Sequence, residues 1–196
     1  MFGYKNIIPK KRTAVFIVFC VALTIGIAYF STHGTLTINP LTEHKQQKAL
    51  LFAKTQNELS PFTTDGCSAG LSDTWREIVG SLSESNVEFD SRYADAMDVP
   101  FEEACVTHDR AYHEGIGGYA GRLAADNQLR TDILQYAIDN TKDIKNRTNL
   151  KTDEQALFLY EGIAEATYRG VRLGGAPCTN QTYAWGFGYG GGDCGE

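Results

Sequence analysis

Four residue types that carry chemistry fall within eight positions near the middle of the chain. Residues 105–112 read Cys-Val-Thr-His-Asp-Arg-Ala-Tyr. The segment is predicted to be helical, because Pro100 precedes it, two glutamates stand in what would be its first turn and Gly115 follows it. The sequence therefore predicts one helix that carries a thiol, an imidazole, a carboxylate and a phenol.

Helical spacing gives the histidine and the aspartate of this segment different neighbours. Residues four apart share a face, so His108 lies beside Tyr112 and Asp109 beside Cys105, while the side chains of His108 and Asp109 point about 100° apart. An imidazole can act as a general base and a carboxylate can bind a metal ion, and one helix can offer both to neighbouring parts of one pocket. The alternative is a partly exposed surface pair.

An acidic residue occupies an inward position on the next predicted helix. Glycines at 115, 117 and 118 indicate a turn, and residues 119–139 have a helical periodicity that puts Asp126 on or beside the apolar stripe. Carboxylates are rarely buried without a partner, and a short turn favours antiparallel neighbours, so His108 is one predicted partner. Arg122 or Arg130, at helical spacing from Asp126, is the alternative.

Cysteines beyond the N-terminal region are even in number: Cys67, Cys105, Cys178 and Cys194. In an exported domain this predicts disulfides, and three pairings remain open. No C-x-x-C pair occurs, which argues against a zinc ribbon or a thioredoxin-like redox site. A fifth cysteine, Cys20, falls in an apolar run, where we predict that it is simply a small hydrophobic residue.

The loop that contains Asp65-Gly66-Cys67 offers further oxygen ligands. If Cys67 is bonded to Cys105, the loop is fastened to the predicted helix one turn before the histidine, and Asp65 can approach Asp109. Two carboxylates, backbone carbonyls and waters form the hard-oxygen environment that calcium prefers. Such a cation would polarise an ester carbonyl while the imidazole takes a proton from water. The alternative for the Asp-Gly pair is an ordinary turn.

The N-terminal 30 residues are predicted to be a short cytoplasmic segment followed by a transmembrane anchor. Residues 13–30 form an 18-residue run without a charged side chain, long enough to cross a bilayer core of about 30 Å. Basic residues at 10–12 favour a cytoplasmic N-terminus, with the rest of the chain on the far side. The alternative is a signal peptide, whose cleavage would give a secreted protein. Residues 31–41 are then a linker and residues 42–196 a folded domain.

Charge divides the chain at the same place. Four of the 18 basic residues and none of the 24 acidic residues precede Ser31, so the domain that follows is acidic. An acidic surface argues against nucleic acid as a partner, because binding to phosphates requires a basic face. It also argues against simple electrostatic adhesion to anionic lipid.

The remaining segments of the domain are assigned by periodicity and composition. Residues 42–59 are predicted to form a helix with an apolar stripe that includes Leu50, Phe52 and Ala53, and a later helix is predicted from Thr152 to Gly174. A surface excursion is predicted over 80–98 and a polar connection over 142–151.

The C-terminal tail alternates aromatic with small residues. This alternation predicts an extended segment with four rings on one side: Tyr183, Trp185, Phe187 and Tyr189. Such a tail could form a lipid-contact patch, since Trp and Tyr favour the membrane boundary. The alternative is a tail packed on the core and stapled by a bond from Cys178 to Cys194.

In combination, these motifs resemble those of the secreted phospholipase A2 superfamily, particularly its bacterial and fungal branch. The matching residues are Asp65-Gly66-Cys67, Cys105-x-x-His108-Asp109-x-x-Tyr112, and Asp126 after a glycine turn. The resemblance covers residues 62–136. It implies a mainly α fold with two long antiparallel helices that carry a His/Asp dyad, a calcium-binding loop and disulfide bracing, here joined to an N-terminal transmembrane helix.

The resemblance also implies a role for each matching residue. His108 would be the general base, Asp126 its orienting partner, and Tyr112 a hydrogen-bonding support of the dyad. Calcium would be bound by the side chains of Asp65 and Asp109 and by the backbone carbonyl of Gly66. Cys67 and Cys105 would form a disulfide.

The predicted function is therefore calcium-dependent hydrolysis of the sn-2 ester of glycerophospholipids, with phospholipid and the membrane as partners. A serine hydrolase is disfavoured, because no G-x-S-x-G motif occurs. The alternative within the same scaffold is a catalytically weak, phospholipase-like module that binds lipid or accompanies a toxin. A structural anchor protein with an incidental His-Asp pair is the remaining alternative, and it predicts no metal dependence.

Overall fold

The protein is mainly helical within the part of the chain that the computed structural model describes, residues 40–67, 99–148 and 150–191. Its elements are α1 (Pro40–Gln56), α2 (Glu102–Glu114), α3 (Gly118–Thr148), α4 (Asp153–Gly174) and a 3-10 turn (Phe187–Tyr189). The mainly helical prediction is confirmed. The predicted span 13–30 and the excursion 80–98 lie outside the described residues. Within the described residues, none of the four helices combines the length and apolar character that a bilayer crossing requires.

Helix α2 begins and ends where its sequence predicts. Two glutamates occupy the first turn, where the helix dipole favours negative charge. Gly115 ends the helix in the left-handed conformation, with φ of 56°, and its N–H donates to Ala111 O at 2.9 Å. Lys54 of α1 donates from Nζ to the carbonyls of Glu114 and Gly115, both at 2.7 Å. These bonds satisfy carbonyls that a helix end leaves without partners.

Helices α2 and α3 are antiparallel, as the short glycine turn predicts. Arg122 Nε donates to Tyr112 Oη at 3.0 Å near the turn. The rings of Phe101 and Tyr136 lie 6.3 Å apart at the opposite end of α2. Residue numbers therefore rise along one helix as they fall along the other, which brings the middle of α2 against the first half of α3.

Helix α3 is longer than predicted. The polar connection expected over 142–151 is wrong, because the helix continues to Thr148 beyond a kink at Asn140, where φ is −118° and ψ is 16°. Asn140 caps the kink by donating from Nδ2 to Tyr136 O at 2.8 Å. The fully buried side chain of Ile144 packs in the main core, so one apolar residue anchors the added turns.

Helix α4 starts at the predicted capping box. The Thr152 side chain accepts from Gln155 N, and the Gln155 side chain accepts from the backbone of Thr152. Its apolar face packs along α3 in a core that also includes the disulfide, and the buried members of this core are Cys67, Val99, Phe101, Cys105, Leu129, Ile133, Ala137, Ile144, Ala156, Tyr160, Ile163 and Ala164.

Helix α1 uses only part of its predicted apolar stripe. Leu50 and Ala53 are buried, but Phe52 is 67% exposed, so its place in the stripe is wrong. The buried face of α1 begins instead with two polar residues, Glu43 and Gln47. These four buried positions recur at three- and four-residue intervals, which is the helical period expected of a packed face.

The C-terminal tail is folded back on the helices. The extended conformation predicted for it is wrong, because residues 183–191 form turns and the 3-10 helix, with Gly186 at φ of 81°. Gly186 N donates to Tyr112 O at 2.6 Å. The side chain of Trp185 is 1% exposed and meets the Tyr112 ring edge-on at 5.1 Å. The packed alternative therefore holds for Trp185, which is buried and cannot form part of a lipid-contact surface.

One disulfide joins the loop to α2. Cys67 and Cys105 are bonded, with their Cα atoms 5.2 Å apart, as the resemblance implied. Cys178 is also disulfide-bonded. Cys194, its predicted partner, lies outside the described residues, so that pairing stays a prediction.

Removal of the first disulfide should destabilise the domain strongly. The bond closes a loop of 38 residues, and chain entropy then gives a stabilisation of about 4 kcal/mol. We expect the free energy of unfolding of the double variant Cys67→Ala, Cys105→Ala to be lower than that of wild type by this amount. Urea titrations monitored by circular dichroism measure the difference. An unchanged midpoint would contradict a structural role for this bond.

Candidate active site

The predicted dyad is assembled between α2 and α3. His108 Nε2 lies 2.8 Å from Asp126 Oδ1, and both side chains are buried, at 7% and 0% exposure. The prediction that Asp126 has His108 as a partner is confirmed. The alternative partners are weaker or absent: Arg122 Nε is 4.0 Å from Asp126 Oδ2, and Arg130 pairs with Glu165 at 3.4 Å.

The charge state of Asp126 determines which nitrogen of His108 carries the proton. Burial raises the pKa of Asp126, but hydrogen bonds from His108 and Arg172 outweigh burial and hold that pKa below its usual value. An ionised carboxylate only accepts hydrogen bonds, so Nε2 is the protonated nitrogen. Nδ1 has no hydrogen-bond partner among the described residues, and it is therefore the nitrogen that can accept a proton from water.

Tyr112 supports the dyad from the same helix as His108. Its Oη donates to Asp126 Oδ1 at 2.7 Å, and its ring lies 4.1 Å from the imidazole. Burial, followed by the charge of Asp126, raises the pKa of Tyr112 well above its usual value, so the phenol remains a donor. A Cβ at Gly175 would come within 2.5 Å of the Tyr112 ring, so only glycine permits this close approach at the end of α4.

The loop before α2 contacts Asp109 through Thr64. Thr64 Oγ1 donates to Asp109 Oδ2 at 2.6 Å, and Gly66 N donates to Thr64 Oγ1 at 3.0 Å. Gly66 has φ of 67°, a left-handed conformation in which a side chain would be strained. Asp65 is exposed, yet its charge raises the pKa of Asp109. The predicted approach of Asp65 to Asp109 stays a prediction.

Asp109 is a buried acid without a basic partner among the described residues. Its side chain is largely buried, and no lysine or arginine of the described residues forms an ion pair with it. Burial raises the pKa of Asp109 to about 6, against the opposing effects of the Thr64 hydrogen bond and the His108 charge. No cluster of three or more His, Cys, Asp or Glu side chains that could hold a metal occurs in these parts of the chain.

Asp109 should make the metal-free protein less stable at neutral than at acidic pH. Because its pKa rises from 3.8 to about 6 on folding, its contribution to stability is fully present below pH 3.8 and is lost as the pH rises through 6. In the presence of a metal chelator, we expect the melting temperature of Asp109→Asn to rise relative to that of wild type as the pH increases from about 4 to about 7. A difference that stays constant over this range would contradict the raised pKa.

A shallow cavity opens beside the histidine on the α2–α3 face. Its volume is about 70 Å³, and it is lined by Ala104, Thr107, His108, Ala111, Ala125, Gln128, Leu129 and Asp132. Three alanines and a leucine make its wall mostly apolar, and small side chains keep the space open. An apolar group held there would contact the imidazole directly.

Two residues that sequence patterns did not indicate complete the surroundings of Asp126. Arg172 NH1 donates to Asp126 Oδ2 at 2.7 Å, and Arg172 NH2 donates to Glu43 Oε2 at 3.0 Å. The sequence signal that could have identified Glu43 and Arg172 is their position on the inward faces of α1 and α4, since charged residues are rarely buried unless paired.

Tyr183 of the tail also belongs to this neighbourhood. Burial raises the pKa of Tyr183, and the charges of Asp65 and Asp109 add to that effect. Its ring meets that of Phe187 edge-on at 5.1 Å.

Comparisons of the chain with protein-family models, with curated proteins and with solved structures find no match.

Proposed function

We propose that the protein is a calcium-dependent phospholipase A2 that hydrolyses the sn-2 ester of glycerophospholipids. One observation carries the proposal: a buried His108–Asp126 pair leaves Nδ1 of the imidazole available, and the next residue is a buried carboxylate that no lysine or arginine of the described residues pairs with. A proton acceptor and a cation-binding acid are then adjacent, which suits hydrolysis of an ester by water. The motif resemblance supplies the substrate class.

In the proposed reaction His108 transfers the same proton in two steps. Nδ1 of neutral His108 takes a proton from water as the oxygen attacks the ester carbonyl carbon. The imidazolium donates the same proton to the leaving alcohol oxygen when the carbon–oxygen bond breaks. Asp126 stabilises the imidazolium and keeps its ring oriented. The products are a free fatty acid and a lysophospholipid.

Calcium, when bound, would polarise the ester carbonyl and stabilise negative charge on its oxygen. The side chains of Asp65 and Asp109 and the carbonyl of Gly66 would hold it. Thr64 orients one oxygen of Asp109 through its hydrogen bond of 2.6 Å, which leaves the other oxygen for the cation. These are the hard ligands that calcium prefers.

The alanine-lined cavity is the proposed contact for the first carbons of an acyl chain. It shares His108 with the dyad, so an acyl group in it would bring its carbonyl near the imidazole. Its volume of about 70 Å³ holds only a few carbon atoms. The rest of the acyl chain would extend from the cavity into the lipid surface. Residues 13–30 would anchor the domain to that surface.

The test uses a phospholipid with different acyl chains at sn-1 and sn-2. The full-length protein is mixed with this lipid in detergent micelles with calcium, and the products are identified by mass spectrometry. We expect only the sn-2 acid and the matching lysophospholipid, in many-fold molar excess over protein. Binding without product would instead indicate the lipid-binding module, and release from both positions would exclude sn-2 specificity.

A further inference from the structure

Asp126 is bound on both of its oxygens, by different groups. Oδ1 accepts from His108 and Tyr112, whereas Oδ2 accepts from Arg172 NH1 at 2.7 Å. The carboxylate torsion of an aspartate is intrinsically broad. The plane of the carboxylate, and with it the direction of the lone pair that faces the imidazole, therefore depends on Arg172 as well as on the dyad.

Arg172 is itself held in place by a buried glutamate from a distant part of the chain. Glu43 is fully buried on α1, and its Oε2 accepts from Arg172 NH2 at 3.0 Å. The two amino groups of one guanidinium thus bind two carboxylates, a planar arrangement that lysine cannot reproduce. Glu43 leaves Arg172 little freedom to turn away from Asp126.

A second arginine closes the network. Arg122 is fully buried, with NH1 2.9 Å from Glu43 Oε1, an ion-pair distance at which its N–H is not aligned for a hydrogen bond. Its NH2 donates to the carbonyls of Val171 and Arg172 at 2.7 Å each. Arg122 therefore fixes the backbone from which the Arg172 side chain extends, and it neutralises the second acid.

Burying charged groups costs free energy, so a gain in stability does not by itself explain this network. Two acids and two arginines balance in charge, and three of the four are fully shielded from water. Well-packed apolar residues would often stabilise a core as well or better than a buried ion network. What apolar residues could not do is orient a carboxylate.

We infer that Arg172, held by Glu43, is a positioning residue that fixes the Asp126 carboxylate and thereby the tautomer and orientation of the His108 ring. This inference rests on the proposed function for its consequence in turnover, but the orientation itself does not depend on which substrate is used. Arg172 acts through Asp126, because its guanidinium binds Asp126 and Glu43 rather than the His108 ring.

Kinetics of Arg172→Gln test the consequence for turnover. We expect kcat for phospholipid hydrolysis to fall by about 10- to 100-fold, the range for partners that orient a functional imidazole, with KM changed less than about twofold because no substrate contact is lost. Arg172→Lys should recover part of the loss. Arg169→Gln, one turn earlier on α4, removes an exposed ion pair with Glu165 and should match wild type. An unchanged kcat in folded Arg172→Gln would overturn the inference.

Nitrogen NMR of the labelled imidazole tests the orientation without any turnover. At a pH where the ring is neutral, we expect wild type and Arg169→Gln to show one His108 tautomer, protonated at Nε2. Arg172→Gln should show a mixture with the Nδ1-protonated form. If it does not fold, Arg172→Lys should show the same mixture to a smaller extent. A single unchanged tautomer in the folded variant would refute the positioning role. A tautomer shift in Arg172→Gln, together with a wild type that does not hydrolyse phospholipid, would refute only the proposed function.

Discussion

His108→Asn should reduce sn-2 ester hydrolysis by about 100- to 10,000-fold, the usual contribution of a general base. Asparagine has no group that accepts a proton from water at neutral pH. Its amide is shorter than the imidazole and does not reach the position of Nε2, but Tyr112 and Arg172 still donate to Asp126, so the buried carboxylate keeps partners and the fold should survive. Initial rates in mixed micelles measure the loss, and circular dichroism checks the fold.

A matched control is available on α1. His44 is exposed, with its ring 5.5 Å from that of Tyr119, and His44→Asn makes the same chemical change outside the site. It should hydrolyse lipid at the wild-type rate. If His108→Asn hydrolyses lipid as fast as this control, His108 is not the base, and the assignment of the dyad fails with it.

Asp109→Asn should abolish calcium binding and, with it, hydrolysis. The substitution keeps an acceptor for the Thr64 hydroxyl but removes the buried negative charge that favours a cation. A metal ion that polarises a carbonyl provides several kcal/mol of transition-state stabilisation, and each 1.4 kcal/mol is a factor of ten in rate. We therefore expect at least about a hundredfold loss of activity.

Isothermal titration with calcium gives a readout of the same site that needs no substrate. Wild type should bind one calcium ion, and Asp109→Asn should show no binding in the same concentration range. Asp139→Asn is the matched control, since Asp139 is an exposed acid on α3 that accepts from Gln135 at 2.9 Å. Equal calcium affinity in Asp109→Asn and wild type would exclude Asp109 as a ligand.

Local rules predicted the parts of the site that lie close together in sequence. His108 and Asp126 are 18 residues apart and are joined by a glycine turn, so helical period and turn length made His108 one of the predicted partners of Asp126. Glu102 in the first turn and Gly115 at the end delimited α2 for the same reason. Burial of Asp126 followed from its position on the apolar stripe, and burial required a partner.

The network behind Asp126 could not be predicted in this way. Glu43 and Arg172 are 129 residues apart, and no spacing rule connects residues on α1 with residues on α4. Each is one of many charged residues on a helix, and only the packed arrangement distinguishes a buried partner from a solvated side chain. Long-range pairing of this kind depends on the relative placement of whole helices.

The conformation of the tail was wrongly predicted because its glycines are compatible both with a strand and with a turn. Alternation of aromatic and small residues fits a strand, in which every second side chain points the same way. Glycine also adopts positive φ at little cost, and Gly186 and Gly190 do so, at 81° and 75°. The tail could therefore turn and bury Trp185 against Tyr112, which stabilises it more than an exposed strand would.

The most direct test of the central claim is a calcium titration of sn-2 fatty acid release by the purified full-length protein. In excess chelator we predict no release, with activity restored by calcium in wild type and absent in His108→Asn at every calcium concentration. Magnesium should not substitute, because it requires near-ideal octahedral geometry and gives up its waters reluctantly. Undiminished release in chelator, or no release by wild type at saturating calcium, would contradict a calcium-dependent phospholipase A2.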